Sequence, residues 1–227
     1  QLSRIEIRHH DAHRQVSAAE GVVDALGRTV APGPATRILT LGSDVTEIVH
    51  ALGAGERIIA VDRGSKYPPS VAGKPNVGYR RQLSVEGLAS LRPDLILAAE
   101  DSGPPEAVEV LKSLAIPIVF VPQDNTPQGI ERKITLIAAS LGLEDKGKVV
   151  SAEVLTAFQT AADLTAKIPP ERRKKVVFFH GLVKLSAAGA GTSADAIIRY
   201  AGGRNPMDVV QGYKAASEEK LIEMAPD

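Results

Sequence analysis

The segment Asp62-Arg-Gly-Ser-Lys-Tyr-Pro-Pro-Ser70 sets a phenol, Tyr67, beside the ammonium of Lys66 and directly before two prolines. The prolines stiffen the chain behind the phenol. Tyrosine is one of the few side chains that ligate haem iron. A phenol ionises near ~10, so a ligating phenolate has to be stabilised by ferric iron and by nearby cations. Lys66, Arg63, Arg80 and Arg81 are the cations at hand, and they would equally pair with a pair of ligand carboxylates. The residues alone leave a second role open for Tyr67, a ring packed at the base of a loop.

The other chemistry-bearing residues are fewer. His180 ends an apolar run and is either a hydrogen-bonded strand-end histidine or a metal ligand. Three of the five histidines, His9, His10 and His13, fall in a polar N-terminal stretch, where they could hold a metal only if that stretch were ordered. Gly189-x-Gly191-x-x-Ala194 imitates a dinucleotide fingerprint, but no acidic residue follows a strand at the expected distance, so it reads as a tight turn into a helix. Ser43 and Thr192 are the expected caps of the two helices that follow such turns, whose N-termini would favour anions. The chain contains no G-x-S-x-G, H-E-x-x-H or P-loop, which leaves hydrolase and NTPase readings without residues. With no cysteine there is no thiolate metal site, no cysteine nucleophile and no disulfide.

The elements that must position these groups follow a regular pattern. Of 227 residues, 44% are hydrophobic and 24% charged, a globular composition. Lys plus Arg equals Asp plus Glu at 27 each, and no basic stripe is visible, so no nucleic-acid partner is expected. No apolar run approaches the roughly 20 residues of a membrane span. Residues 1–20 read as a polar arm. Two short strands flank a Gly27 turn, and β-rich runs at 37–41, 57–61, 94–98 and 117–121 then alternate with helical patterns at 44–53, 84–91, 105–113 and 128–142. That alternation predicts a parallel sheet covered on both faces. Residues 144–167 carry apolar positions at helical spacing and form a long helix, stopped by Pro169 and Pro170 before a strand over 176–180.

The chain also repeats itself. LSVEGLASLRPD at 83–94 matches ASEEKLIEMAPD at 216–227, an offset of 133 from Ser84 to Ser217, and pairs Glu86 with Glu219. GSDVTEIVHALG at 42–53 matches GTSADAIIRYAG at 191–202, an offset of 149 from Gly42 to Gly191. The two copies of one α/β unit thus differ by 16 residues, and the extra length of the first copy contains the Tyr67 loop. Ligands of open parallel sheets bind beyond the carboxyl ends of the strands, so that loop is where function is expected. The expected organisation is an N-terminal lobe over 22–142, a linking helix over 144–167 and a C-terminal lobe over 175–227 that is cut short.

VVDALGRTV, RILTLGSDVTEIVHALGAGERIIAVD, KYPPS, VGYRRQLSVEGLASLRPDLIL and AGAGTSADAIIRYAGG together resemble the periplasmic haem-binding proteins that serve haem-uptake ABC transporters. The resemblance covers residues 22–227. It implies an α/β fold of two Rossmann-like lobes with central parallel sheets, bridged by one long helix. It implies a non-enzymatic monomer that binds ferric haem in the cleft and hands it to a permease dimer, working in a Gram-negative periplasm after removal of an export signal. Tyr67 matches the axial iron ligand and Arg81 the arginine of G-Y-x-R. Lys66 and Arg80 have no firm counterpart, and His180 would cap the haem or ligate a second iron. Glu86 and Glu219 match the acidic docking positions, one per lobe, although either would also suit the first turn of a helix. The Y-P-P loop followed by G-Y-x-R-Q-L-S speaks for haem, whereas E-x-L-x-x-L-x-P-D-L is shared with siderophore and cobalamin binders, the nearest alternative. A Rossmann-type nucleotide enzyme using Gly189 to Ala194 is the alternative from another class.

Overall fold

The apolar runs and amphipathic stretches become strands and helices in the expected order in the computed structural model, which describes residues 21–181 and 185–226. A hairpin of β1 (Val22–Val23) and β2 (Thr29–Val30) comes first. Its turn is made by the buried carboxylate of Asp24, which accepts the backbone N–H groups of Leu26 and Arg28 at 2.9 and 3.0 Å. Arg28 pairs with the same carboxylate, lies over the Phe120 ring at 5.1 Å and donates to the Ile118 carbonyl at 2.8 Å, which pins the hairpin to the main sheet.

That sheet is built from β3 (Ile38–Leu41), β4 (Ile58–Val61), β5 (Leu95–Ala99) and β6 (Ile118–Val121), all parallel in the order β4-β3-β5-β6. The crossovers carry α1 (Ser43–Ala51), α2 (Val85–Ser90) and α3 (Pro105–Ser113), and α4 (Pro127–Leu141) follows β6. Successive strand residues face opposite sides. Ile38, Leu95, Leu97, Val119 and Val121 pack with Val45, Val49 and Leu52 of α1 and Ile134 and Ile137 of α4. Leu39, Leu41, Ile96, Ala98 and Phe120 pack with Leu88 of α2 and Val108 and Leu111 of α3. Burial on both faces explains why these strands read as unbroken apolar runs instead of alternating with polar residues.

At the amino ends of the strands, the Asp94 carboxylate accepts the Thr36 backbone N–H and hydroxyl at 2.9 and 2.8 Å and the Arg37 N–H at 2.8 Å. The Pro-Asp of the repeated signature therefore ties the start of β5 to the start of β3. Its counterpart in the second copy, Asp227, lies outside the described residues, as does the 1–20 arm with His9, His10 and His13.

Gly142, with φ 65°, ends α4 in the left-handed region that glycine enters at little cost, and α5 (Glu144–Thr165) turns back along α4. Gly147, Ser151, Val150 and Val154 of α5 lie against the first lobe. Farther along, Phe158 meets Tyr200 edge-on at 5.0 Å. Tyr200 belongs to α6 (Ser193–Tyr200), so this one helix touches both parts of the chain.

Beyond α5 lie β7 (Phe179–His180), β8 (Ser186–Ala188), β9 (Tyr213–Ala215) and α7 (Glu218–Met224). Here the expected parallel pairing needs correction, because β7-β8-β9 pair antiparallel. Five residues separate β7 from β8, and a parallel return needs a crossover of about a dozen or more. The expected 176–180 strand is also divided. Val176 donates to the Arg204 carbonyl at 2.8 Å, beside a parallel bridge between Lys175 and Arg204, whereas Phe178 accepts the Ala188 N–H at 3.0 Å and Phe179 and His180 pair with β8.

Candidate functional site

In this sheet β3 sits between β4 and β5, and the chain leaves it first toward one neighbour and later toward the other. That switch point opens a crevice at the carboxyl edge, where ligands of open α/β sheets bind. Four loops meet there: the turn after β3, the 62–84 excursion after β4, residues 100–104 after β5 and residues 122–126 after β6.

A buried knot fixes the first two. Asp62, 1% exposed, accepts the Gly42 N–H at 3.1 Å, the Gly64 N–H at 3.0 Å and the Ser65 hydroxyl at 2.5 Å. The Ser65 hydroxyl bonds that of Thr46 at 2.8 Å, which bonds that of Thr40 at 2.7 Å. A carboxylate with its oxygens filled by three donors is a rigid node in a dry setting. Tyr67 stands two residues beyond Ser65, in front of Pro68, and is 63% exposed. Lys66 beside it is exposed too.

The excursion folds back on its own strand. Arg63 donates to the Gly78 carbonyl at 2.8 Å and Val77 to the Val61 carbonyl at 3.0 Å, so the residues after Gly78 are brought to the base of the Tyr67 loop. There Tyr79 is flanked by the guanidinium of Arg63, 5.4 Å from its ring centre, and by that of Arg81, which donates to its hydroxyl at 2.9 Å. Arg80 grips Asp101 with two bonds of 3.0 and 2.6 Å, and Arg81 donates to the same carboxylate. Backbone bonds from Leu83 to Gly103 and from Gly103 to Arg80, both 2.9 Å, hold the two loops side by side. Burial alone would raise the Asp101 carboxyl, but the hydrogen bonds from Arg80 and Arg81 outweigh it and hold the group below the usual carboxylate range. The bond to Asp101 correspondingly raises the Arg81 guanidinium. Within this cluster three guanidiniums, of Arg63, Arg80 and Arg81, face the one carboxylate of Asp101.

The structure thus gathers Arg80 and Arg81 at one edge with the Tyr67 loop, and places His180 among the strands that follow α5. His180 is exposed on β7, with its ring 5.9 Å from that of Tyr213. Glu86 and Glu219 are exposed in the first turns of α2 and α7, each two residues after the serine that the repeat aligns. Ser84 caps α2, accepting the Gly87 N–H at 3.3 Å.

Two smaller expectations change. Thr192 caps α6, accepting the Asp195 N–H at 3.1 Å, but the N-cap of α1 is Gly42, and Ser43 is its first helical residue. Neither helix start presents a free anion site, because Asp44 there pairs with Lys133 at 2.7 Å and buried Asp195 pairs with Arg199 at 3.2 Å. The Gly189-x-Gly191 turn is also explained by packing. A Cβ on Gly189 would lie 2.2 Å from the Val210 carbonyl, where the turn pairs with the chain before β9.

Residues 38–227 match the periplasmic binding protein family. The chain belongs to that family. Among solved structures it is similar to the periplasmic haem-binding protein RhuT from Roseiflexus sp. RS-1 in apo form, at 34% identity and TM-score 0.78, over 84% of this chain and 73% of that one. It is also similar to the periplasmic haem-binding protein HutB of Vibrio cholerae, at 37% identity and TM-score 0.72, over 84% of this chain and 74% of that one. A third neighbour, BhuT in complex with two haems, gives 35% identity and TM-score 0.78 over 86% and 75%. Among curated proteins, a vitamin B12-binding protein of Vibrio parahaemolyticus is 26% identical over 206 residues, 88% of this chain and 71% of that protein.

The α/β fold expected from the resemblance is therefore that of a periplasmic binding protein, and its solved neighbours named above are periplasmic haem-binding proteins. No helix among the described residues is long and apolar enough to cross a membrane. Sequence reasoning missed Asp101 and Tyr79, which organise the two arginines. Asp101 follows the end of β5 and Tyr79 lies late in the excursion after β4, and nothing in the local sequence pairs the two.

Proposed function

We propose that this protein binds ferric haem at the carboxyl edge of its parallel sheet and delivers it to the permease of an ABC transporter, acting in the periplasm as a non-enzymatic carrier. Tyr67 is the axial ligand, and Arg81, with Arg80, Arg63 and Lys66 around it, meets the haem carboxylates. One observation supports the reading: an exposed phenol stands on a loop locked by the Asp62 knot, and the base of that loop carries a guanidinium cluster that exceeds its carboxylate partner in charge. Haem needs both features, a ligand for ferric iron and cations for two propionates. The corrin of vitamin B12 carries amides at its rim and would gain little from the arginines. The haem-binding neighbours RhuT and HutB are also more alike in sequence to this chain than the vitamin B12-binding protein of Vibrio parahaemolyticus. His180, with Tyr213, lines a second aromatic surface available to the cargo from the C-terminal part. Glu86 and Glu219 dock the permease, one from each copy of the repeat.

Titration with haemin tests the reading. Wild type gives a high-spin ferric spectrum of tyrosinate ligation, and Tyr67→Phe loses that spectrum and about 100-fold or more in affinity, near 2.7 kcal/mol. Its melting temperature stays put, because the ring is outside the core. An unchanged spectrum and affinity would remove Tyr67 from the site, and saturable cobalamin binding without haem binding would transfer the protein to the alternative cargo.

A further inference from the structure

Asp101 holds both arginines through one carboxylate. Arg80 takes both oxygens, at 3.0 and 2.6 Å, and its side chain is 22% exposed, so it is committed to the protein. Arg81 is different. It donates one Nη to Asp101 and the other to the Tyr79 hydroxyl at 2.9 Å, and its side chain is 52% exposed. A guanidinium has five N–H donors, and these two contacts use about two of them. The remaining donors of Arg81 sit on a half-exposed head fixed at two points. An unanchored arginine would lose rotamer freedom on meeting a ligand, whereas a preorganised fork loses less for each hydrogen bond formed.

From this geometry we infer that Asp101 is a positioning residue for cargo recognition: it holds Arg81, through a carboxylate shared with Arg80, in the orientation that grips a ligand carboxylate. The inference rests on the haem reading above and gives Asp101 a role without contact to the cargo. Arg80 acts as the counterweight. Its bidentate grip keeps the carboxylate from turning away and leaves Arg81 the single-point bond that a partly exposed side chain can keep while reaching outward. Asp101 itself is held on its own loop by the Leu83–Gly103 and Gly103–Arg80 backbone bonds, so the arginine is referenced to β5 as well as to the excursion after β4.

The test compares haemin with haemin dimethyl ester, in which both carboxylates are masked while the iron is unchanged. Wild type, Asp101→Asn, Arg81→Ala, the double variant and Asp101→Glu are titrated with each compound. Wild type is expected to prefer haemin by about tenfold or more. Asp101→Asn should reduce that preference to about the level of Arg81→Ala, the double variant should fall no further, and Asp101→Glu should restore part of it. The ester, having no carboxylate for Arg81, should change far less, and its tyrosinate spectrum reports that each variant is folded. A preference that survives or grows in Asp101→Asn overturns the positioning role. So does equal weakening of haemin and ester, which would make Asp101 merely structural. If wild type binds haemin and its ester equally well, the carboxylate part of the haem reading fails and takes this inference with it.

Discussion

Asp62→Asn is the sharpest probe of how the site loop is built. The side chain keeps its size and loses its charge. In one orientation the amide keeps its oxygen toward Gly42 and Ser65, and its NH2 then faces the Gly64 N–H, which is bonded at 3.0 Å in the wild type. In the other orientation the NH2 faces the Gly42 N–H, although the Ser65 hydroxyl can turn to accept. The second orientation strands the N–H of buried Gly42 and the first strands that of exposed Gly64, so the amide should settle in the first. Stranding a buried donor costs about 1–3 kcal/mol and a partly buried one falls at the low end, so about 1 kcal/mol is expected. For a chain of this size that lowers the melting temperature by about 2–4 °C. Because the knot anchors the loop that carries Tyr67, haem affinity should fall together with stability. Thermal unfolding by circular dichroism, with haemin titration on the same samples, measures both. A melting temperature within about 1 °C of wild type would refute the account of the knot. Lost haem binding at unchanged stability would mean that Asp62 meets the cargo directly.

Asp94→Ala removes three hydrogen bonds at the amino edge and should cost about 1–2 kcal/mol in urea unfolding without altering cargo affinity, since it lies at the opposite end of the strands. Acid should destabilise the protein through the same group and through Asp101. For both, burial acting alone would raise the carboxyl, but hydrogen bonds from Thr36 and Arg37, or from Arg80 and Arg81, outweigh it and depress the folded value. Their stabilisation is therefore complete above the unfolded value of about 4 and is lost as pH falls through the folded values, so the unfolding free energy should drop below about pH 4, with a shallower slope in Asp94→Ala. An identical slope in that variant would rule this out. Reversing the two carboxylates proposed to dock the permease, Glu86→Arg with Glu219→Arg, should cut haem uptake in a reconstituted transporter and leave haemin affinity intact. Uptake that survives, or binding that falls, defeats the docking assignment.

The main sheet was legible because both of its faces are buried, which makes each strand a short apolar run and each crossover an amphipathic one; nothing else in the chain competes with that pattern. The last third was less legible for the same reason reversed. Its strands are two or three residues long, Val176 to His180 is one apolar run that serves two different partners, and pairing direction was set by the five-residue spacing to β8, not by composition. The Tyr67 loop stood out because an insertion in one copy of a repeat marks a loop, and sheet topology places that loop at the carboxyl edge. Asp101 could not, because its partnership with Arg80 spans 21 residues and depends on how two loops lie side by side.

Ser43 shows most clearly where a repeat misleads. Aligned with Thr192, it should cap its helix, and in the second copy Thr192 does so. In the first copy the side chain that reaches the turn comes from the next loop, since Asp62 takes the Gly42 N–H. The hydroxyl that points inward there is Thr46, which donates to the Gly42 carbonyl at 3.1 Å and bonds Ser65. The helix start was thereby freed from local capping and tied to the loop after β4. Two copies of one unit can keep the same helices and glycine turns and still differ in what those turns hold. In the copy with the longer excursion, the turn holds the base of the Tyr67 loop.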